Sequence, residues 1–169
     1  MTEQFTNIEK LLLELTKDLN CYYLKQPSIY KKGKNGYYIY SHFQLIPKKI
    51  DLFLIRKHLQ KELTLAIPLK KITALVFEYR GKEVYAFGTL LFRILKEYHL
   101  KGQIIEYSLD KLLIFVSFLN NKELIEKKEY LIQDIKKIMP QDWRILPIDS
   151  KPDLGNLLIL PREIVDNPW

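Results

Sequence analysis

The second half of the sequence alternates between segments typical of strands and of helices, and this order constrains the fold more than any other feature. Runs of β-branched and aromatic residues predict strands, whereas apolar residues repeated every three or four positions predict helices. The first four predicted segments are a strand at Ile72 to Tyr79, a helix at Glu83 to Leu100, a strand at Gln103 to Tyr107 and a strand at Lys111 to Phe118.

Two further segments complete the pattern. A helix is predicted up to about Met139, with Asn120 or Asn121 as its N-cap and Pro140 as its stop. A last strand is predicted at Gly155 to Leu160. The order strand, helix, strand, strand, helix, strand predicts an α+β fold, the split βαβ arrangement of ferredoxin-like and RRM-like folds. Right-handed crossovers would place both helices on one face of an antiparallel sheet.

The first part of the chain, residues 1–70, is predicted to be an extension that packs on this βαββαβ core of residues 71–169. We therefore expect one domain spanning residues 1–169, because no low-complexity linker interrupts it. The predicted elements of the extension are a helix at Thr6 to Leu19 with Thr6 and Glu9 as a capping pair, a hairpin with arms at Tyr22 to Leu24 and Tyr37 to Leu45, and a helix at Lys49 to Lys61.

The formal net charge of the chain, +7, favours polyanionic partners such as nucleic acid. A composition rich in lysine, isoleucine and tyrosine is also found in proteins from AT-rich genomes or hot habitats, so charge alone does not decide the partner. The single cysteine, Cys21, has no partner for an internal disulfide, which favours a reducing compartment. We find no signal-peptide pattern and no apolar run of membrane-spanning length, and we expect a cytoplasmic protein with no membrane partner.

The sequence contains none of the common catalytic or nucleotide-binding motifs, and we expect no cofactor and no metal site. The three histidines, His42, His58 and His99, fall on separate predicted elements without the spacing of metal ligands. Glu78 and Glu106 are the acids inside the predicted core strands, and neither has a second carboxylate on its own strand. Two-metal catalysis needs converging carboxylates, so we predict a structural or salt-bridged role for both.

Cations and aromatic residues alternate in the predicted hairpin and predict a nucleic-acid contact. Lysines track phosphates and aromatic rings stack on bases, although an exposed turn has the same composition. A second basic cluster lies on the following helix, where a solvated helix face is the alternative. The predicted nucleic-acid-binding residues are Lys31, Lys32, Lys34, Tyr37, Arg56, Lys57 and Arg80.

Several segments together resemble the archaeo-eukaryotic primase-polymerases, in particular the bacterial and archaeal branch of conflict systems and mobile elements. The most specific of them, Leu154 to Pro161, is similar to the Gly-Asn-Leu-Ile-x-Leu-Pro element that ends the family's module. The other similar segments are Tyr30 to Tyr37, Leu69 to Tyr79, Ile104 to Ser108 with Leu113 to Phe118, and Lys137 to Gln141.

The chain departs from this family where the chemistry would lie. The family's first motif ends in Asp-x-Asp or Asp-x-Glu, and Phe77-Glu78-Tyr79 stands there instead. The second motif places a histidine after a glycine-rich hairpin, whereas Ser108 to Leu113 has neither glycine nor histidine. A third acid, Asp166, would hold no metal alone. The resemblance therefore implies a degenerate member without catalysis.

We expect a non-catalytic, primase-like accessory protein of DNA replication that binds nucleic acid, with DNA favoured over RNA, or a protein partner such as a catalytic primase subunit or a helicase. A second hypothesis is a protein-protein interaction domain of ferredoxin-like shape whose charge is incidental. A third is a residual nucleotidyltransferase or nuclease that uses Glu78, Glu106 and Asp166. Whether Trp143 and Trp169 anchor the core or a partner is left open by the sequence.

Overall fold

The chain is a mixed α+β protein in a computed structural model that describes residues 4–27, 29–40, 42–72, 74–117, 122–138, 143–148 and 150–169. Its described part contains four α-helices, two antiparallel four-stranded sheets and one two-stranded ribbon. The elements are α1 (Asn7–Thr16), β1 (Tyr22–Lys25), β2 (Ile29–Gly33), β3 (Gly36–Tyr40), β4 (Phe43–Ile46), α2 (Leu52–Leu59), β5 (Leu65–Pro68), β6 (Ala74–Arg80), α3 (Val84–Glu97), β7 (Gly102–Tyr107), β8 (Lys111–Ser117), α4 (Lys122–Ile138), β9 (Trp143–Leu146) and β10 (Leu157–Ile159).

The chain forms two compact units, and each unit is built from two separate stretches. The first unit comprises Met1–Ile72 and Pro152–Arg162. The second unit comprises Thr73–Lys151 and Glu163–Trp169. The chain therefore leaves the first unit after β5, builds the strands and helices of the second, and returns to the first to add β10.

The sheet of the first unit has the strand order β10-β5-β1-β4, and all its pairs are antiparallel. Strand β5 is one of its two inner strands, and Leu65, Ala66 and Ile67 on it are fully buried. Helix α1 begins at Thr6, whose Oγ1 accepts a hydrogen bond from the Glu9 amide at 3.2 Å, which confirms the predicted N-cap. The ribbon of β2 and β3 belongs to neither four-stranded sheet.

The sheet of the second unit has the strand order β7-β8-β6-β9 with antiparallel pairing throughout. Leu75, Phe77 and Tyr79 alternate along β6 and stand opposite Val116, Ile114 and Leu112 of β8 in the register. These six residues share one buried cluster with side chains of α3 and α4, so both helices cover the same sheet face. The helices are also joined directly, because the Tyr98 hydroxyl donates a hydrogen bond to Asp134.

The strands and helices predicted between residues 72 and 138 are present. The strand predicted at Gly155 to Leu160 is present at Leu157–Ile159, but its predicted place in the core sheet is wrong. Residues 157–159 pair with β5 in the first unit, and β9 at Trp143–Leu146 takes the edge position beside β6. Apolar periodicity identifies a strand but not its sheet, since both sheets offer an edge. The predicted cap at Asn120 or Asn121 and the stop at Pro140 lie outside the described residues.

Two predictions for the first part of the chain change in detail. The predicted strand at Tyr37 to Leu45 is two strands, β3 in the ribbon and β4 in the four-stranded sheet. The predicted first arm at Tyr22 to Leu24 pairs with β4 only, where Tyr23 lies opposite Leu45, and the partner of β3 is β2, a strand that was not predicted. The predicted helix at Lys49 to Lys61 is shorter, because Asp51 is its N-cap: the Leu54 amide donates to Asp51 Oδ1 at 2.8 Å.

Candidate nucleic-acid interface

The ribbon of β2 and β3 carries the predicted basic and aromatic segment. The register places Lys31 opposite Tyr38 and Lys32 opposite Tyr37. The strands are joined by a tight turn after Gly33, and Gly36 closes it with a φ of 117°, which a residue with a side chain rarely adopts. Lys32 and Lys34 are exposed, and neither forms an ion pair within the described part of the chain. Their charges are therefore available to a partner.

The second predicted cluster, Arg56 and Lys57 on α2, interacts with its own unit. Arg56 lies 3.3 Å from Glu9 Oε2, a side chain that is only 10% exposed. The Lys57 ammonium lies 4.7 Å from the centroid of the Phe53 ring and 4.0 Å from Glu62 Oε2. Both cations are already engaged, so they fit a solvated helix face better than a phosphate contact.

Arg80, the remaining predicted residue, ends β6 in the second unit and contacts Glu78. The distance from Arg80 Nε to Glu78 Oε1 is 3.3 Å, and Arg144 Nε on β9 lies 2.6 Å from the same oxygen. The Glu78 side chain is 8% exposed, whereas both arginines are more than half exposed. Glu106 forms its own ion pair with Lys111 at 2.8 Å. The predicted salt-bridged role of both glutamates is confirmed.

The strand positions also separate these two acids. Glu78 on β6 and Glu106 on β7 pair with Leu113 of β8 from opposite sides, so two strand spacings, about 10 Å, lie between their backbones. One cation bound by both would need carboxylates within a few ångströms of each other. Among the described residues, no group of three or more histidine, cysteine, aspartate or glutamate side chains is placed to hold a metal ion.

Burial alone would raise the pKa of Glu78, but hydrogen bonds from Arg144 and Arg80, together with their charges, outweigh it and hold the pKa below the ordinary value of 4.5. A lowered folded-state pKa stabilises the fold above the unfolded pKa, and this contribution is lost as the pH falls through the folded pKa. We expect Glu78→Gln to lower the free energy of unfolding at pH 7 by about 1–2 kcal/mol, as measured by urea denaturation.

The matched control for this variant is Glu106→Gln, because Glu106 is 46% exposed and its ion pair is solvated. We expect that substitution to change stability by less than about 0.5 kcal/mol. The difference in the free energy of unfolding between Glu78→Gln and the wild type should shrink as the pH falls from 7 towards 3. A constant difference over this range would contradict the ion-pair assignment.

His58 is a structural residue of the first unit. Its side chain is fully buried, its Nδ1 accepts a hydrogen bond from the Leu65 amide at 3.0 Å, and its Nε2 lies 2.8 Å from the Leu160 carbonyl oxygen. These partners fix the neutral ring with the proton on Nε2. Burial lowers the pKa of His58, and the nearby Arg162 charge acts in the same direction against the hydrogen bonds to backbone carbonyls.

A groove in the second unit contains residues that the sequence reasoning missed. It has a volume of about 1010 Å³ and runs along α3 to the start of β7, with residues 167–169 forming one wall. Its basic lining residues are Arg93, Lys96, His99 and Lys101. The signal in the sequence is a set of aromatic and basic residues at helical spacing along α3, namely Tyr85, Phe92, Arg93 and Lys96. The other wall of the groove is formed by residues 167–169, which lie far from α3 in the sequence.

Trp169 anchors this wall of the groove. Its ring lies against Gly88 of α3, where an added Cβ would overlap the indole. The ring stacks on Phe92 with centroids 5.5 Å apart, and Tyr85 and Tyr107 flank it at 5.9 and 5.7 Å. Trp169 therefore packs against the core cluster of its own unit.

No protein-family model matches this sequence, and no curated protein matches it either. In the part of the chain that the structure describes, no helix combines the length and apolar character needed to cross a membrane.

Proposed function

We propose that this chain is a non-catalytic accessory protein that binds nucleic acid through the ribbon of β2 and β3. The observation that carries the proposal is the ribbon itself: a two-stranded element outside both larger sheets, with Lys32 and Lys34 exposed and free of ion pairs among the described residues. Elsewhere the basic residues of the predicted site, Arg56, Lys57 and Arg80, have acidic partners within their own units.

Duplex DNA is the partner that the shape of the ribbon favours. The major groove of B-form DNA admits a two-stranded ribbon, whereas the major groove of A-form RNA is too deep and narrow. Lysines on such a ribbon neutralise phosphates and position the protein without reading the sequence. Lys31 and Tyr37, whose backbones pair with Tyr38 and Lys32 in the register, are the other two ribbon residues of the proposed contact.

We propose that the second unit is a ferredoxin-like domain, a view supported by the chain order β6-α3-β7-β8-α4-β9, the spatial order β7-β8-β6-β9 and the common helical face. A degenerate primase-polymerase relationship is supported by the position of Glu78, which is bound to two arginines where that family has metal ligands. A catalytic primase subunit or a helicase in the cytoplasm is then the proposed protein partner.

The test is DNA binding by a ribbon variant across a salt series. We expect Lys32→Gln/Lys34→Gln to weaken binding of a fluorescent duplex about tenfold or more at low salt. The slope of log K against log salt should fall in magnitude by about 2, because each phosphate contact contributes about 0.9. Fluorescence anisotropy measures both quantities.

The charge-matched control is Lys136→Gln/Lys137→Gln, which removes two exposed lysines from the last turn of α4. We expect it to bind the duplex like the wild type. Equal losses in both variants would mean that net charge alone attracts DNA. A wild type without salt-dependent duplex binding would leave the protein-protein interaction domain as the better hypothesis.

A further inference from the structure

The groove along α3 has the charge of a site for an anion. Among the described residues, no aspartate or glutamate lines it, whereas Arg93, Lys96, His99 and Lys101 do. Arg93, Lys96 and Lys101 are exposed, and none of them forms an ion pair with a described residue. Three uncompensated cations around one concave surface attract an anionic ligand and disfavour a cationic one.

The last carbonyl groups of α3 do little to offset the positive charge of the groove, because most of them already accept hydrogen bonds. The carbonyls of Ile94, Leu95 and Lys96 accept hydrogen bonds from the amides of Tyr98, Leu100 and His99 at 3.2, 2.8 and 3.1 Å. This arrangement satisfies the last turn of the helix. The negative end of the helix dipole is thus partly screened, and the three cationic side chains dominate the groove.

Aromatic rings line the same groove. Tyr85 is 66% exposed although its ring lies 5.9 Å from the Trp169 ring, so one side of this aromatic pair is open to a further flat group. Phe92 and Trp169 extend the aromatic surface towards Arg93 and Lys96. Aromatic rings beside cations are the combination that holds a base together with its phosphate. A single inorganic phosphate would leave the rings without a stacking partner.

The size of the groove indicates more than one phosphate. Its volume of about 1010 Å³ is at the upper end of the range for ligand pockets, and it extends from Tyr85 to Gly102 along the helix and the following turn. An extended strand with several phosphates and unpaired bases fits both its length and its lining.

We propose that this groove binds a segment of single-stranded nucleic acid, with phosphates on Arg93, Lys96 and Lys101 and an unpaired base against Tyr85. The inference rests on the proposed nucleic-acid-binding function and adds a second site to it. The ribbon contacts the duplex, and the groove holds an unpaired strand.

The test compares Lys96→Gln/Lys101→Gln with the control Lys136→Gln/Lys137→Gln, which removes the same charge from the same unit. The probes are a fluorescent thymidine 12-mer and a duplex of mixed sequence. We expect the groove variant to bind the 12-mer about tenfold or more weakly, with a salt slope smaller by about 1.4, and to bind the duplex like the wild type. Tyr85→Ala should weaken 12-mer binding roughly tenfold without changing the salt slope.

Stacking beside Trp169 gives a second readout. The chain has two tryptophans, so a Trp143→Phe background leaves Trp169 as the sole indole. We expect the 12-mer to quench its emission at the concentrations that saturate anisotropy. Quenching should be lost in the Lys96→Gln/Lys101→Gln variant.

The outcomes separate the two proposals. If the ribbon variant loses duplex binding while the groove variant binds the 12-mer normally, the groove inference is overturned and the proposed function stands. If only the groove variant has an effect, the ribbon assignment fails and the groove inference stands. Wild type that does not bind the 12-mer overturns the inference, as does complete displacement of the 12-mer by polyglutamate at equal charge. Complete displacement of the 12-mer by thymidine monophosphate at equal phosphate concentration would also overturn the inference, because it would show that the groove binds a free nucleotide and not a nucleic-acid strand.

Discussion

His58→Phe is expected to lower the free energy of unfolding by about 3–5 kcal/mol, a large part of the stability of an ordinary domain. Phenylalanine keeps a flat aromatic ring, somewhat larger than imidazole, in a fully buried position but removes both nitrogens. The Leu65 amide and the Leu160 carbonyl, which now meet those nitrogens at 3.0 and 2.8 Å, would be left without them. Each buried group without a partner costs about 1–3 kcal/mol.

The position of His58 explains why the backbone cannot compensate. The Leu160 amide donates to the Leu65 carbonyl at 3.0 Å, which is one of the two bonds that a hydrogen-bonded pair in an antiparallel ladder exchanges. The imidazole bridges the other two groups of that pair. Arg162 holds the histidine in place, because its Nε donates to the His58 carbonyl at 2.9 Å. The ring therefore fastens the end of α2 to the last part of the sheet.

The pH dependence of this stability follows from the neutral state of the ring. Burial lowers the folded-state pKa of His58 below its ordinary value of 6.5, so the unfolded chain binds the proton more readily. The stabilising contribution is complete above the unfolded pKa and is lost as the pH falls from 6.5 through the folded pKa. This site alone changes stability by at most about 1.4 kcal/mol per pH unit.

Urea denaturation followed by circular dichroism between pH 5 and 8 measures both effects. His58→Phe should remove the part of the slope due to this site, and His99→Asn, a substitution of an exposed histidine with a φ of 56°, should leave it unchanged. A loss below about 1 kcal/mol in His58→Phe would contradict the bridging role, since two buried groups without partners cost more than that.

Gly88→Ala is expected to lower stability by about 2–3 kcal/mol, although alanine is the better helix former by about 1 kcal/mol. The new Cβ would overlap the six-membered ring of Trp169, and the three nearest atoms to it all belong to that indole. The tryptophan must leave its contacts with Phe92, Tyr85 and Tyr107, which costs more than the helix gains.

A double-mutant cycle tests whether the cost of Gly88→Ala comes from the displaced Trp169 ring. Trp169→Ala alone should destabilise by a similar amount, because it removes the same contacts. In the Trp169→Ala background, Gly88→Ala should become stabilising by about 1 kcal/mol, since only the helix preference remains. In a Trp143→Phe background, the emission of Trp169 should shift to longer wavelength in Gly88→Ala. An unchanged emission maximum would show that the indole does not rest on Gly88.

The sequence predicted most clearly the long elements with turn signals at both ends. Helix α3 has apolar residues at helical spacing, and strands β6 and β8 are long, mostly apolar runs of seven residues. Strand β5 was missed because it is a short run, buried on both faces and ended by Pro68, without alternation. Strand β10 was predicted as a strand but assigned to the wrong unit, because pairing partners are chosen by tertiary packing.

The two candidate sites also differ in how far the sequence predicts them. The basic segment of the ribbon and its turn were predictable because Lys31, Lys32 and Lys34 are neighbours in sequence and the turn residues lie among them. The first arm of the ribbon, Ile29–Gly33, was missed, since the predicted first arm was Tyr22 to Leu24. The groove was not predictable, because Trp169 reaches α3 from a segment more than sixty residues away. The role of His58 had no local signal either, since a single histidine on a helix reveals nothing of the two backbone groups that meet it.

The interleaved path of the chain has a consequence for biosynthesis. Strands β1, β4 and β5 emerge from the ribosome before any residue of the second unit, but β10 emerges only after all four strands of that unit. Until then β5 is an unpaired edge of fully apolar residues, a template for intermolecular pairing. The nascent first unit is therefore exposed to intermolecular pairing along this edge until β10 has emerged and paired with β5.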